Sequence, residues 1–451
     1  MPYVPNSDRD RDAMLRAVGV SSVEDLLAEI PEDLRFRGDL DVPGPLSELE
    51  LERHMARLAA LNRSLDDVLS FDGAGIYDQA IPAAVRHVCG MPQFSTAYTP
   101  YQAEASQGTL QAIYEYQTLI ARLTGMDVAN ASMYDGATAA AEAVLMGFGV
   151  TRKRRVAVPR SVHPAVREVL ATFVAASGAE VVDVPLAGGV TDVGALEDAL
   201  EEGTVALVGH PNFFGLLEPV TGISQAVERK KAWLVASVDP LSLALLEPPG
   251  SYGAEVAVGE GQCLGSPAAY GGPLLGFMAA RRRHIRRMPG RIIGATADTE
   301  GRRGYVMTLQ TREQHIRREK ATSNICTNQG LVALATTVYL SLLGKDGLRE
   351  LASHVAARSH YAADALSRVD GVRLRFDGPF FREFVVELPV DAARVQSELR
   401  TAGIWPGVSL SRWFDDMPNS LLVAVSERHS REEIDTLASA IGAVTERRGA
   451  E

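Results

Sequence analysis

Lysine is rare in this 451-residue chain: Lys153, Lys230, Lys231, Lys320 and Lys345 are its five, among 45 basic residues. Chemistry that runs through a protein-bound imine needs a desolvated lysine in a cleft, so this scarcity restricts what the chain can catalyse by itself. Cysteine is scarce too. Cys89, Cys263 and Cys326 lie far apart and form neither a CxxC pair nor a disulfide framework, which points to a reducing, cytoplasmic setting. Each reads as a small buried thiol, with a reactive thiol as the alternative. The N-terminal MPYVPNSDRDRD lacks the apolar core of a signal peptide, and no apolar run approaches the roughly 20 residues of a membrane span. A net charge of −12 argues against nucleic acid or an anionic membrane as partner, because either needs a positive face.

What is present is the composition of an ordinary globular protein, with 46% hydrophobic and 23% charged residues. The first part has helix signals only. Ser22 with Asp25, and Ser47 with Glu50, have capping-box spacing, and prolines separate the helices. From about residue 125 short apolar runs, RRVAVP, AEVVDVP, TVALVGHP, AWLVASVD, AEVAVG and PLLGFMAA, alternate with helical stretches. Such runs predict a mostly parallel sheet covered on both faces. After GKDG a long helix and the strand-like GVRLRF, REFVVEL and SLLVAVS predict a smaller α+β unit.

Five places could carry chemistry. In ANASMYDGATAAAEAVLMGFG a polar turn runs into an alanine-rich helix, so Tyr134, Asp135, Gly136 and Thr138 could cradle an anion. Asp135 could equally cap that helix and repel a phosphate. Asp239 ends a buried strand, where a carboxylate faces either a cleft or a simple turn before proline. His163 could stack on a cofactor ring or merely start a helix before Pro164. TREQHIRREKATSNICTNQ, with the lone functional-looking lysine Lys320, suits an anion-facing or partner-facing loop, or a charged helix turn capped by Ser323 or Asn324. FSTAYTPYQAEASQGTLQ is dense in polar groups that are expensive to bury unpaired, so it is exposed or ligand-facing, and Tyr98 and Tyr101 could equally pack an interface.

The last two stretches, with FDGAGIYDQAIPAAVRH, resemble the P-protein family of the glycine cleavage system, in the form of the alpha subunit (subunit 1) of two-subunit bacterial glycine dehydrogenase (decarboxylating). The resemblance implies an α/β, fold-type I pyridoxal-phosphate-dependent transferase like aspartate aminotransferase. It would comprise a helical arm (1–66), a large domain with a mostly parallel seven-stranded sheet (67–344) and a small α+β domain (345–451). It also implies that the beta subunit (subunit 2) holds the Schiff-base lysine and pyridoxal phosphate in an α2β2 assembly. That complex would decarboxylate glycine, release CO2 and pass the aminomethyl group to the lipoyl arm of the H-protein, alongside the T- and L-proteins. In this chain the lysine's place falls near Gln262 or Cys263, and Glu260 nearby disfavours a phosphate dianion. No catalytic residue and no metal are therefore expected here. Tyr134, Asp135, Gly136, Thr138, His163 and Asp239 become positions of a degenerate cofactor cleft. Tyr98, Thr99, Tyr101, Gln102, Glu104, Lys320, Thr322, Ser323, Asn324 and Thr327 are expected to face the partner's site or the interface leading to it. An independent pyridoxal-phosphate enzyme is denied by the lysine inventory. A noncatalytic scaffold stabilising a cofactor-binding partner is the alternative.

Overall fold

A computed structural model describes residues 5–446 apart from Thr322, Asn324 and Cys326, with nothing stated of the Tyr270 side chain. The chain divides into a unit ending at Arg63 and a unit beginning at Ser64.

The first unit holds the helices Asp8–Val18, Val23–Leu26 and Glu48–Ala59, each opened by a serine. Ser22 Oγ accepts from Asp25 N at 3.2 Å and Ser47 Oγ from Glu50 N at 3.4 Å, the two capping boxes legible in the sequence. None of these helices buries a residue.

The second unit is built around a seven-stranded sheet. Its strands run in the order Val128–Ala129, Gly276–Ala280, Val256–Glu260, Trp233–Val238, Val205–His210, Arg155–Pro159 and Glu180–Val184. The last five pair in parallel, while Gly276–Ala280 is antiparallel to both its neighbours. The near-continuous Val/Ala/Leu character of Val205–His210, buried at every position, follows from helices covering both faces. Gly136–Thr151 covers one face, its alanines allowing close approach to the strands. Gln107–Thr124 packs in the cluster on the other side with Val208, Ala236 and Phe277.

Gly330–Ser367 is a 38-residue helix kinked at Gly344, where φ is +60°. By length and composition alone this helix is apolar enough to cross a membrane, contrary to the expectation that no run approaches such a span. Half of its apolar stretch is buried against the rest of the chain. Beyond it a four-stranded antiparallel sheet, Arg373–Leu374, Glu383–Glu387, Ser420–Ala424 and Val408–Ser409 in that order, is covered by Ala392–Thr401 and Arg431–Glu446.

Candidate functional site

The C-terminal ends of the parallel strands, where α/β sheets bind ligands, open on a cavity of ≈ 270 Å³. Asp239, following Trp233–Val238, lies in its wall, and Oδ2 is 2.6 Å from Nε of Arg382. Arg382 precedes the strand Glu383–Glu387, and its guanidinium lies 3.3 Å from the Tyr77 ring centroid. Burial works against its charge, but Asp239 first, then Tyr77, Cys263 and Glu383, raise its pKa above the ordinary arginine value. Glu383 accepts from Ala74 N at 2.7 Å and from Tyr77 Oη at 2.9 Å. Burial pushes both the Glu383 carboxyl and the Tyr77 hydroxyl upward. The Asp239 carboxylate faces the cleft, as one of the two readings of its strand end had it, and has an arginine partner there.

The anion cradle at the start of Gly136–Thr151 is filled in the same way. Asp135 caps the helix, its Oδ1 accepting from Thr138 N at 2.8 Å. Glu260 Oε2 accepts from Gly136 N at 2.9 Å, and Oε1 from Leu275 N at 2.8 Å and Gln262 N at 3.0 Å. Burial raises its pKa, opposed by those three backbone donors and reinforced by Asp135. Gly136 is required by closeness: a Cβ there would stand 2.9 Å from Glu260 N. Tyr134 lies partly buried at the turn and receives only a weak bond, Gln329 Nε2 to its carbonyl at 3.5 Å.

His163 caps the helix Pro164–Ala175, its Nδ1 accepting from Ala165 N at 3.1 Å. Nε2 therefore carries the proton and donates to the Ala74 carbonyl at 2.9 Å. Burial lowers its pKa, so the ring is neutral, and it meets Phe213 edge-on at 4.8 Å. Gln262, fully buried, accepts from Tyr77 N at 2.9 Å and donates to the carbonyls of Tyr77 at 3.0 Å and Ser266 at 2.8 Å. Cys263 Sγ is 3.9 Å from Asp239 Oδ1, and burial pushes its thiol up to about 12. None of the five lysines lines the cavity. A cofactor bearing a phosphate dianion does not fit: it would have to displace Glu260, face Asp135, part Asp239 from Arg382, and find no amine.

The second set of predicted residues lies on a different face. Tyr98 is 89% and Tyr101 58% exposed; Gln102 and Glu104 are exposed and Thr99 half-buried. An open groove of ≈ 570 Å³ runs between Phe94–Pro100 and Thr327–Leu331, which brings Tyr98 and Thr327 onto one surface. Arg291, 5% exposed, joins the pieces: it lies 5.8 Å from the Tyr101 ring centroid, bonds Asn328 Oδ1 at 3.4 Å and stands 3.9 Å from Glu313. Ser323 turns inward and donates to Glu142 at 2.7 Å. Lys320 is exposed and outside the groove, and Thr322 and Asn324 lie outside the described residues. Arg291, Glu142, Arg382 and Tyr77 escaped the sequence reading, because each acts across more than 30 residues of chain. Of these only Glu142, a lone carboxylate in an alanine-rich apolar helix, left a local signal.

A family model described as glycine cleavage system P-protein matches residues 1–441. The chain is 49% identical over 443 residues to "Probable glycine dehydrogenase (decarboxylating) subunit 1" of Carboxydothermus hydrogenoformans, covering 98% of this chain and 99% of the relative. It is 50% identical over 447 residues to the protein of the same name from Prosthecochloris aestuarii, covering 99% and 100%. Among solved structures, a crystal structure of glycine decarboxylase (P-protein) of the glycine cleavage system, in inhibitor-bound form, superposes with a TM-score of 0.89 at 42% identity over 98% of this chain and all of that one. A sphingosine-1-phosphate lyase of Burkholderia pseudomallei shares the fold alone, with a TM-score of 0.63 at 14% identity over 92% and 94%. The chain belongs to the glycine cleavage system P-protein family.

Proposed function

We propose that this chain is the lysine-free alpha subunit of a glycine decarboxylase, acting with a beta subunit that holds pyridoxal phosphate. The complex decarboxylates glycine, releases CO2 and transfers the aminomethyl group to the lipoyl arm of the H-protein. Pyridoxal phosphate supplies the electron sink without which a carbanion at the glycine α-carbon is inaccessible. The observation that carries the assignment of the cofactor to the partner is Glu260, which accepts three backbone N–H groups where a phosphate would sit.

This chain's share is then to shape and complete the partner's site. The exposed Tyr98 and Tyr101, the half-buried Thr99 and Thr327, and Arg291 beneath them make a Tyr- and Arg-bearing surface of the composition that dominates interface energetics. Gln102, Glu104 and Lys320 would extend it. The division into arm, large and small domains, the α2β2 stoichiometry and the cytoplasmic location belong to this proposal.

The test is spectroscopic. The chain purified alone and mixed with pyridoxal phosphate gives no borohydride-trapped adduct, whereas co-expression with a lysine-bearing homologue gives a coloured heteromeric complex active in glycine–bicarbonate exchange. An adduct trapped on Lys320 would overturn the assignment of the cofactor. Tyr101→Phe or Lys320→Ala with unchanged exchange and assembly removes that residue from the surface.

A further inference from the structure

Glu142 sits in the middle of the apolar helix Gly136–Thr151, 6% exposed, flanked by Ala139, Ala140, Ala141, Ala143 and Val144, all completely buried. One carboxylate oxygen accepts from Ser323 Oγ at 2.7 Å; the other is buried without a hydrogen-bond partner among the described residues. Among the described residues no cation offsets it. Arg167 pairs with Asp183 and His284 with Glu255; Glu260 is held by backbone donors and Arg312 by the carbonyls of Met288 and Gly290. Arg317, Arg318, Glu319 and Lys320 are exposed.

Ser323 belongs to the segment between Arg312, tied to Met288 and Gly290, and Asn328, tied to Ala131. Among the described residues of 314–327, the polar ties leaving the segment are those of Ile316 N, Arg317 N and His315 to the adjoining Glu313, and the bond of Ser323 to Glu142, which alone reaches a distant element. Ile325 N donates to Ser323 Oγ at 3.2 Å, and Ile325 is buried in the same apolar cluster as the helix. Serine, isoleucine and carboxyl therefore form one small latch.

We propose that Glu142 is a positioning residue whose proton state decides whether Ser323 and Ile325 stay docked on the helix. Neutral, the carboxyl is tolerated in its apolar surroundings with one bond. Ionised, it demands donors that a single serine cannot supply, and undocking lets water in. Burial pushes its pKa to about 7, so the latch weakens through neutrality. The functional consequence rests on the reading of this segment as partner-facing; the docking itself does not.

Limited trypsin digestion of the full chain reads the latch directly, since Arg317, Arg318 and Lys320 are cleavage sites within it. Referred to Glu142→Gln as the control for the pH dependence of trypsin, wild-type cleavage in 314–327 rises by up to about tenfold per pH unit above neutrality. Ser323→Ala, which leaves the core intact, cleaves fast at every pH. Equal pH dependence of wild type and Glu142→Gln, or Ser323→Ala cleaving as slowly as wild type, overturns the proposal. In the assembled complex, Glu142→Gln flattens the alkaline limb of glycine–bicarbonate exchange. Loss of that effect with the cleavage pattern intact would sink the partner-facing reading and leave the latch standing.

Discussion

Arg382 Nε and Asp239 Oδ2 stand 2.6 Å apart with side chains 4% and 14% exposed, joining a strand of the small sheet to the C-terminal edge of the central sheet. A buried pair of this kind is costly to break from one side, because the survivor keeps its charge without a partner. Arg382→Met and Asp239→Asn should each lower the unfolding free energy by about 3–5 kcal/mol, read from urea midpoints. The double variant should lose clearly less than the sum. Strict additivity would mean the two charges are not coupled.

Glu260→Gln keeps the shape but replaces an acceptor with an amide N–H₂ that faces backbone donors, and should cost about 2 kcal/mol. The pH dependence has a defined sign. Burial raises the folded-state pKa of Glu260 above 4.5, so between 4.5 and the raised value the folded chain holds a proton that the unfolded chain has released. Stability from this group therefore falls as pH rises through that window, and thermal melts of the Gln variant should lack that component of the slope.

Gly136→Ala would place a methyl 2.9 Å from Glu260 N, with main chain rather than a flexible tip to push against. The expected loss is about 1–3 kcal/mol of stability. A melt within error of wild type would show that the turn and the Glu260 loop move apart freely.

Cys263, 2% exposed and pushed up to about 12, has almost no thiolate at pH 8. In a Cys89→Ser/Cys326→Ser background, alkylation of the native chain by iodoacetamide should be at least about a hundredfold slower than in urea. Native labelling within minutes would contradict the buried placement.

Arg291→Met removes the group shared by the Tyr101 loop and the Asn328 segment. Glycine–bicarbonate exchange by the reconstituted complex should drop by about tenfold or more, the scale on which displaced positioning groups act. The exposed Arg282→Met is the matched control. Equal rates for both variants would separate Arg291 from the working surface.

Much of this was legible in the linear order of residues. Six of the seven central strands lie in apolar runs and are five or six residues long, so they declare themselves; Val128–Ala129, two residues long, does not. The hairpin Ile292–Ala297 with Arg303–Thr308 carries no such signal, because its small and polar residues show little alternation. Asp135 was readable as a cap because capping is local, acting across three residues.

What the sequence determined by itself is chemical identity: five lysines in the whole chain, with a glutamine and a cysteine, Gln262 and Cys263, following the strand Val256–Glu260. Whether Asp135 or another acid closes the helix start was open, since an acid near a helix start can cap it or stand aside. Only the tertiary structure decided it, by carrying Glu260 across 124 residues to the Gly136 N–H and Arg382 across 143 to Asp239. Buried charges and backbone donors must be paired, and the partners that satisfy them are chosen by the packing of distant strands, which no local pattern records.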